Sequence, residues 1–347
     1  MTKSQRERRD SLPSRISDQV HQFFPKIQGL VLAAECYAVT VKRRLLIPTL
    51  LWVALLAWLS TFSVRPAVAA SWVVHAQPAR LVNGGPVLFE VKSPAKLESL
   101  SGSWLGHEIP FSFDATSKTW FALAGVSFEA APGPYALELT GQTVGKSPSN
   151  KITFSQQFTI AEGKYPKIQS KLGVEGKFTE PTPEQQKQIE EGQQIKKDYL
   201  SRVTPAREWS GAFAAPANAE ISDVFGAQRI FNGKVGSTHL GLDFRVPSGT
   251  PVEAMNDGTV LLARLLYYEG NFVVLDHGQG LLTIYMHLSE FKVKEGDQVK
   301  RGQIIALSGG TGRATGPHLH VGVRWQGTYI DPAALIRLQL PQLAVGN

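Results

Sequence analysis

Cysteine is nearly absent: the 347 residues include one, Cys36, and it precedes the long apolar run of the chain. No disulfide framework is therefore possible downstream, and no thiolate can ligate a metal there. This avoidance suits an oxidising compartment, and Cys36 lies on the wrong side of the apolar run to carry a lipid. A basic surface is missing as well. The net charge is +7, yet residues 1–70 carry ten Lys and Arg against four acids, leaving 26 against 25 for the remainder. With no basic stripe interleaved with aromatics, nucleic-acid binding is not expected. The glycine-rich Gly309-Gly310-Thr311-Gly312-Arg313 lacks the Gly-Lys-Ser/Thr ending of a phosphate loop, and no internal repeat is evident. What remains is 43% hydrophobic and 19% charged, the make-up of a folded chain long enough for two domains plus extras.

The basic excess belongs to a leader. Residues 1–44 end in Lys42-Arg43-Arg44, and about twenty mostly apolar residues follow, Leu45 to Val64. The small-residue stretch Ala67-Val68-Ala69-Ala70 comes next, so residues 45–70 read as an export signal or a membrane anchor. Clustered positive charge before the run places the N-terminus inside and everything after it outside. Cleaved, the segment leaves the protein in the periplasm or cell wall; uncleaved, residues 45–64 hold it in the inner membrane. Both routes export the remainder.

The exported part reads as mainly β. Residues 72–165 contain short alternating segments, among them Val87–Val91, Trp120–Leu123, Tyr135–Leu139 and Ile152–Ser155, separated by turns such as Asn83-Gly84-Gly85-Pro86. This spacing predicts a small antiparallel sandwich of immunoglobulin-like type. Residues 166–208 form a linker with a helix over 183–200, opened by the capping hydroxyl of Thr182 and by Pro183 at the first helical position. With few apolar positions it is expected to be a solvated connector. Residues 209–336 form a C-terminal antiparallel β domain, with strands expected around 258–262, 272–276, 282–285 and 304–307, and 337–347 are a tail.

Five of the eight histidines fall in this last domain: His239, His277, His287, His318 and His320. His318 and His320 flank one residue, and in a strand such a pair projects from one face. One of them can bind metal while its neighbour serves the reaction. His239 and Asp243 are four apart, about 13 Å in a straight strand and too far to share a metal. The chain must therefore bend near Gly241, where the lack of a Cβ makes bending easy. One His and one Asp from this segment with one His of the pair give three ligands, the open form of a catalytic zinc site. His287, together with the unligated histidine, is left for proton transfer and oxyanion stabilisation. Tyr285, two residues from His287, is expected on the same face as a further donor. His277, in Asp276-His277-Gly278, reads as a turn residue supporting the fold, and His75 and His107 as ordinary histidines.

These residues carry a family resemblance. The domain resembles the lysostaphin/LytM-type zinc metallopeptidases over about 209–336. The likeness includes Phe225-Gly226, His239 to Asp243, Gly249-Thr250-Pro251-Val252 and Tyr285-Met286-His287-Leu288. It continues through Val293 to Gln303 and Gly312 to His320. The resemblance implies that His239, Asp243 and His320 bind Zn2+ and that His287 and His318 serve catalysis. It also implies a grooved antiparallel sheet and action on the peptide cross-links of peptidoglycan. Some relatives have lost ligands and only activate other wall hydrolases, so a non-cutting envelope scaffold or activator is the alternative. Val293 to Gln303 also resembles part of biotinyl carrier domains, but Asn256 stands where the modified lysine is required.

Overall fold

The computed structural model describes residues 71–145, 150–166, 169–231 and 233–342. The expected leader, 1–44 and 45–70, lies outside them, as do residues 343–347 of the expected 337–347 tail. Among the described residues no helix is long and apolar enough to cross a membrane. The described elements all fall within one unit, Ala69–Asn347.

Among the described residues, nine strands precede residue 162, in two sheets. One has four strands in the order Val73–Gln77, Pro86–Lys92, Thr119–Gly125 and Ser112–Asp114. The other has five in the order Leu81–Val82, Lys151–Ala161, Gly133–Thr143, Leu97–Trp104 and His107–Pro110. Phe89 of the first meets Trp104 and Phe158 of the second, with ring centroids 5.1 and 5.3 Å apart. Pairing is antiparallel except that Leu81–Val82 runs parallel to Ile160 and Ala161. The strand Thr119–Gly125 is buried at all seven positions, because its outer face packs on the C-terminal domain. Trp325 and Ile330 of that domain lie against Gly125, and the Trp325 ring is 5.1 Å from His107. The two β regions therefore share one continuous apolar core.

The C-terminal domain is built on a ten-stranded sheet. Its main path runs Ile221–Asp223, Leu242–Phe244, Leu319–Trp325, Leu281–Phe291, Gly270–Asp276, Gly258–Leu266 and Gln298–Val299, all antiparallel. Ile304–Ser308 pairs with the end of Leu281–Phe291 and with Pro251–Glu253. A separate small sheet places Gln228–Phe231 between Lys234–Thr238 and Gln169–Leu172, the last in parallel.

The helix forms over Pro183–Leu200, with a capping box in which Gln185 N–H donates to Thr182 Oγ1 and Thr182 N–H donates to Gln185 Oε1. It is not the solvated connector that its composition suggests. Ile189, Gly192, Ile195 and Tyr199 recur at three- and four-residue steps and, with the adjoining Leu200, form one stripe. Ile195, Tyr199 and Leu200 pack on Leu262, Leu266, Phe272, Val274, Leu282 and Ile284. The helix is thus the cover of one face of the large sheet, and Lys196 is ion-paired with Glu269 at its edge.

Candidate metal centre and active site

The site starts from sheet register. Asp223 stands opposite Asp243, Asp243 opposite His320, and His320 opposite Met286. Directly opposed residues share a face, so a single row across four strands presents the Asp243 carboxylate beside the His320 imidazole. His239 joins them from the bend before Leu242. Its backbone is held there by two hydrogen bonds, His239 N–H to Ala227 O and Gly226 N–H to His239 O, both 2.7 Å. The bend expected near Gly241 is present, but close approach is what requires a glycine there. A Cβ on Gly241 would lie 2.4 Å from Cε1 and 2.5 Å from Nε2 of His320.

Three ligand atoms converge. Asp243 Oδ1 lies 2.7 Å from His320 Nδ1 and 3.1 Å from His239 Nε2, and the two nitrogens are 3.0 Å apart. All three residues are buried. A tetrahedral zinc with bonds of 2.0–2.1 Å has ligand atoms about 3.3 Å apart, so the set fits such an ion with small adjustments. His239 Nδ1 donates to Val224 O at 2.9 Å, which leaves Nε2 with its lone pair toward the centre. Burial pushes His320 down to about 4 despite the opposing pull of Asp243, so its imidazole is neutral, the form that ligates. Burial alone would raise the Asp243 carboxyl, but the adjoining His239 and His320 imidazoles hold it well below the usual range.

His287 and His318 stand beside this triad. Their rings are 4.8 Å apart, and His287 is 6.2 Å from His320. Strand alternation would put His287 on the Tyr285 face, away from His320. A left-handed backbone at His287, φ 62°, breaks the alternation and turns the ring to the His320 side. Its Nδ1 donates to Thr311 O and that of His318 to Gly316 O, both at 2.8 Å. Each ring therefore keeps Nε2 bare. Burial, then the neighbouring His318 and His320, push His287 down to about 3.

Tyr285 does not join them. It is fully buried, with its hydroxyl accepting from Met255 N–H and bonded to Thr283 Oγ1, both at 3.0 Å. The residue that expectation places beside His287 is thus a core residue, because His287 alone changes face. His277 is also buried, between Asp257 O at 2.6 Å and Thr283 Oγ1 at 2.8 Å, in keeping with a supporting role. His75 and His107 lie in the N-terminal sheets.

Two charged residues escaped the sequence reading. Arg229 donates to Asp223 Oδ2 through Nε and a terminal nitrogen, at 3.1 and 3.0 Å, and also to Asp243 Oδ2. Its guanidinium occupies the second oxygen of Asp243 and leaves Oδ1 to face the histidines. A cleft of about 280 Å3 opens at this point, lined among others by Asp243, His318, Arg229, Arg245 and Arg313.

Parts of this chain are similar to known proteins. Over 82 residues the chain is 55% identical to the peptidoglycan DD-endopeptidase ShyA of Vibrio cholerae, a match covering 24% of this chain and 19% of that protein. Over 93 residues it is 47% identical to ShyB of the same organism, covering 27% and 22%. The chain thus spans about a fifth of the length of these two relatives. A crystal structure of a candidate M23 peptidase from Pseudomonas aeruginosa superposes with a TM-score of 0.57 at 28% identity, covering 74% of this chain and 95% of that one. That coverage exceeds the C-terminal domain, so the likeness extends into the strands before it. Residues 237–332 match the model of peptidase family M23, and the segment that carries His239, Asp243, His287, His318 and His320 is a peptidase family M23 domain.

Proposed function

We propose that this protein is a zinc-dependent endopeptidase that hydrolyses peptide cross-links of bacterial peptidoglycan. His239, Asp243 and His320 are its metal ligands, and His287 and His318 its catalytic histidines. The observation that carries the reading is the approach of His239 Nε2, Asp243 Oδ1 and His320 Nδ1 to within 2.7–3.1 Å of one another, with two further imidazoles on one side. Zinc held there supplies Lewis-acid polarisation of a carbonyl and a water of lowered pKa.

The chain's own groups do the rest. His318, part-exposed at the cleft and fixed through Nδ1, takes a proton at Nε2 and returns it to the departing amine. His287, buried and unprotonated at neutral pH, accepts a hydrogen bond at Nε2 and orients its donor. Arg229 keeps the Asp243 carboxylate from rotating. The names of ShyA and ShyB as peptidoglycan DD-endopeptidases support the substrate class. They also support a location in the cell envelope, with or without an anchor at 45–64. The division into a sandwich module over 72–165, a linker over 166–208 and a catalytic domain over 209–336 is part of the same reading.

Digestion of purified peptidoglycan by the full chain tests it. New amino groups and fragments cut within the cross-link are expected, and chelator is expected to abolish both. Intact peptidoglycan that nevertheless binds the protein tightly would instead favour a non-cutting scaffold or activator of other wall hydrolases.

A further inference from the structure

Resting on that reading of the site, we infer that Arg245 and Arg313 form a docking subsite for a free carboxylate on the substrate, on a residue flanking the amide to be cut.

The cleft beside Asp243 and His318 is lined by three arginines, Arg229, Arg245 and Arg313. The acids in its lining are Asp223 and Asp243, and Arg229 already bridges both. A divalent metal on the ligand triad adds further positive charge. The cleft is therefore an anion-seeking surface next to the reacting centre, and its low-dielectric walls strengthen that preference.

Arg245 follows Asp243 by two residues in an extended segment, so both project to one face about 6.6 Å apart. Its ion pair with Glu220 spans 3.7 Å, with both side chains at least 70% exposed. Such a contact is screened and readily exchanged for a ligand. Arg313 approaches from another loop. Its guanidinium lies 4.6 Å from the centroid of the Tyr268 ring, and its backbone N–H donates to Tyr268 O at 2.8 Å. Burial weakens its hold on its proton, against the opposing pull of Tyr268 and Glu269, and the like charge of Arg229 adds to that weakening; an anion entering between the two arginines relieves their repulsion. Planar guanidinium groups match a carboxylate through paired hydrogen bonds. An extended peptide advances about 3.3–3.6 Å per residue. A carboxylate near Arg245 therefore belongs to a residue one or two positions from the scissile carbonyl.

Two synthetic cross-linked peptide dimers test the assignment. They are identical except that the carboxyl on the residue whose amine forms the cross-link is free in one and amidated in the other. Binding is measured calorimetrically on the full chain treated with chelator, so the readout does not depend on turnover. The free acid is expected to bind about tenfold more tightly at low salt. That advantage should shrink as ionic strength rises, and disappear in R245Q/R313Q. The single variant R245Q, altered at an exposed position, should lose a large part of it even if the double variant folds poorly. Equal affinity of the wild-type chain for acid and amide overturns the subsite. Cleavage of the same dimers with zinc restored is read separately. Preferential binding of the acid with no cleavage of either dimer would sink the peptidase reading and leave the subsite standing.

Discussion

Gly241→Ala is the substitution for which the structure gives the most specific outcome. The added Cβ would sit 2.4 Å from His320 Cε1, 2.5 Å from its Nε2 and 2.7 Å from Val321 O. Ordinary contact begins near 3.4 Å, so the imidazole has to retreat by about 1 Å, whereas a metal–ligand distance tolerates only about 0.2 Å. The Val321 carbonyl belongs to a paired strand and has little freedom to yield. Overpacking of this kind costs about 1–3 kcal/mol of stability. The larger effect is on the metal: misplacing one of three ligands should cost at least the ~100-fold in affinity that follows from losing a residue that only orients a ligand. Competition with a zinc chelator reads the affinity, and urea unfolding with chelator present reads the stability. Gly322→Ala is the control, since its Cβ would meet nothing nearer than Ile284 Cβ at 3.5 Å, and it should bind zinc normally. A Gly241→Ala protein with wild-type zinc affinity would refute the account of how His320 is held.

Four other outcomes follow from the same geometry. Arg229→Gln removes the partner of Asp223 and of Asp243 Oδ2, and should lower zinc affinity about 10–100-fold in the same chelator competition. His287→Ala and His318→Ala should each lower kcat on peptidoglycan fragments by about 10²–10⁴, with the zinc content unchanged by elemental analysis. Burial pushes His277 down to about 4, so between there and the unfolded value near 6.5 the unfolded chain binds more protons. Its contribution, about 3 kcal/mol, is complete above pH ~6.5 and lost as pH falls to ~4; His277→Gln should flatten the pH dependence of the urea midpoint in chelator. Leu200→Ala should cost about 2–5 kcal/mol in urea unfolding, where a solvated connector would lose almost nothing.

The sequence made some levels of this structure legible and hid others. The strands at 258–262, 272–276, 282–285 and 304–307 lie inside observed strands, because short β-branched runs between glycine turns have few other ways to bury themselves. The helix begins at Pro183, where the local capping chemistry demands it. His239, Asp243 and His320 meet because backbone pairing aligns Asp243 with His320 and the bend brings in His239; spacing left His318 and His320 equivalent, and the family resemblance was what singled out His320. The change of face at His287 had no signature, since a left-handed conformation at a non-glycine residue is imposed by its surroundings; Tyr285 was misjudged for that reason. Arg229 reaches Asp243 across a turn and a second small sheet, a tertiary relation that no local pattern records. The burial of Thr119–Gly125 on both faces did have a signal, an apolar run without alternation.

His320 and Asp243 are separated by 77 residues, and only the completed pairing of Leu242–Phe244 with Leu319–Trp325 brings them together. An emerging or unfolded chain has no such neighbourhood, so the proposed metal ligands are not assembled in it. The proposed hydrolytic activity therefore requires that long-range closure of the sheet, and a chain that has not made it lacks the site.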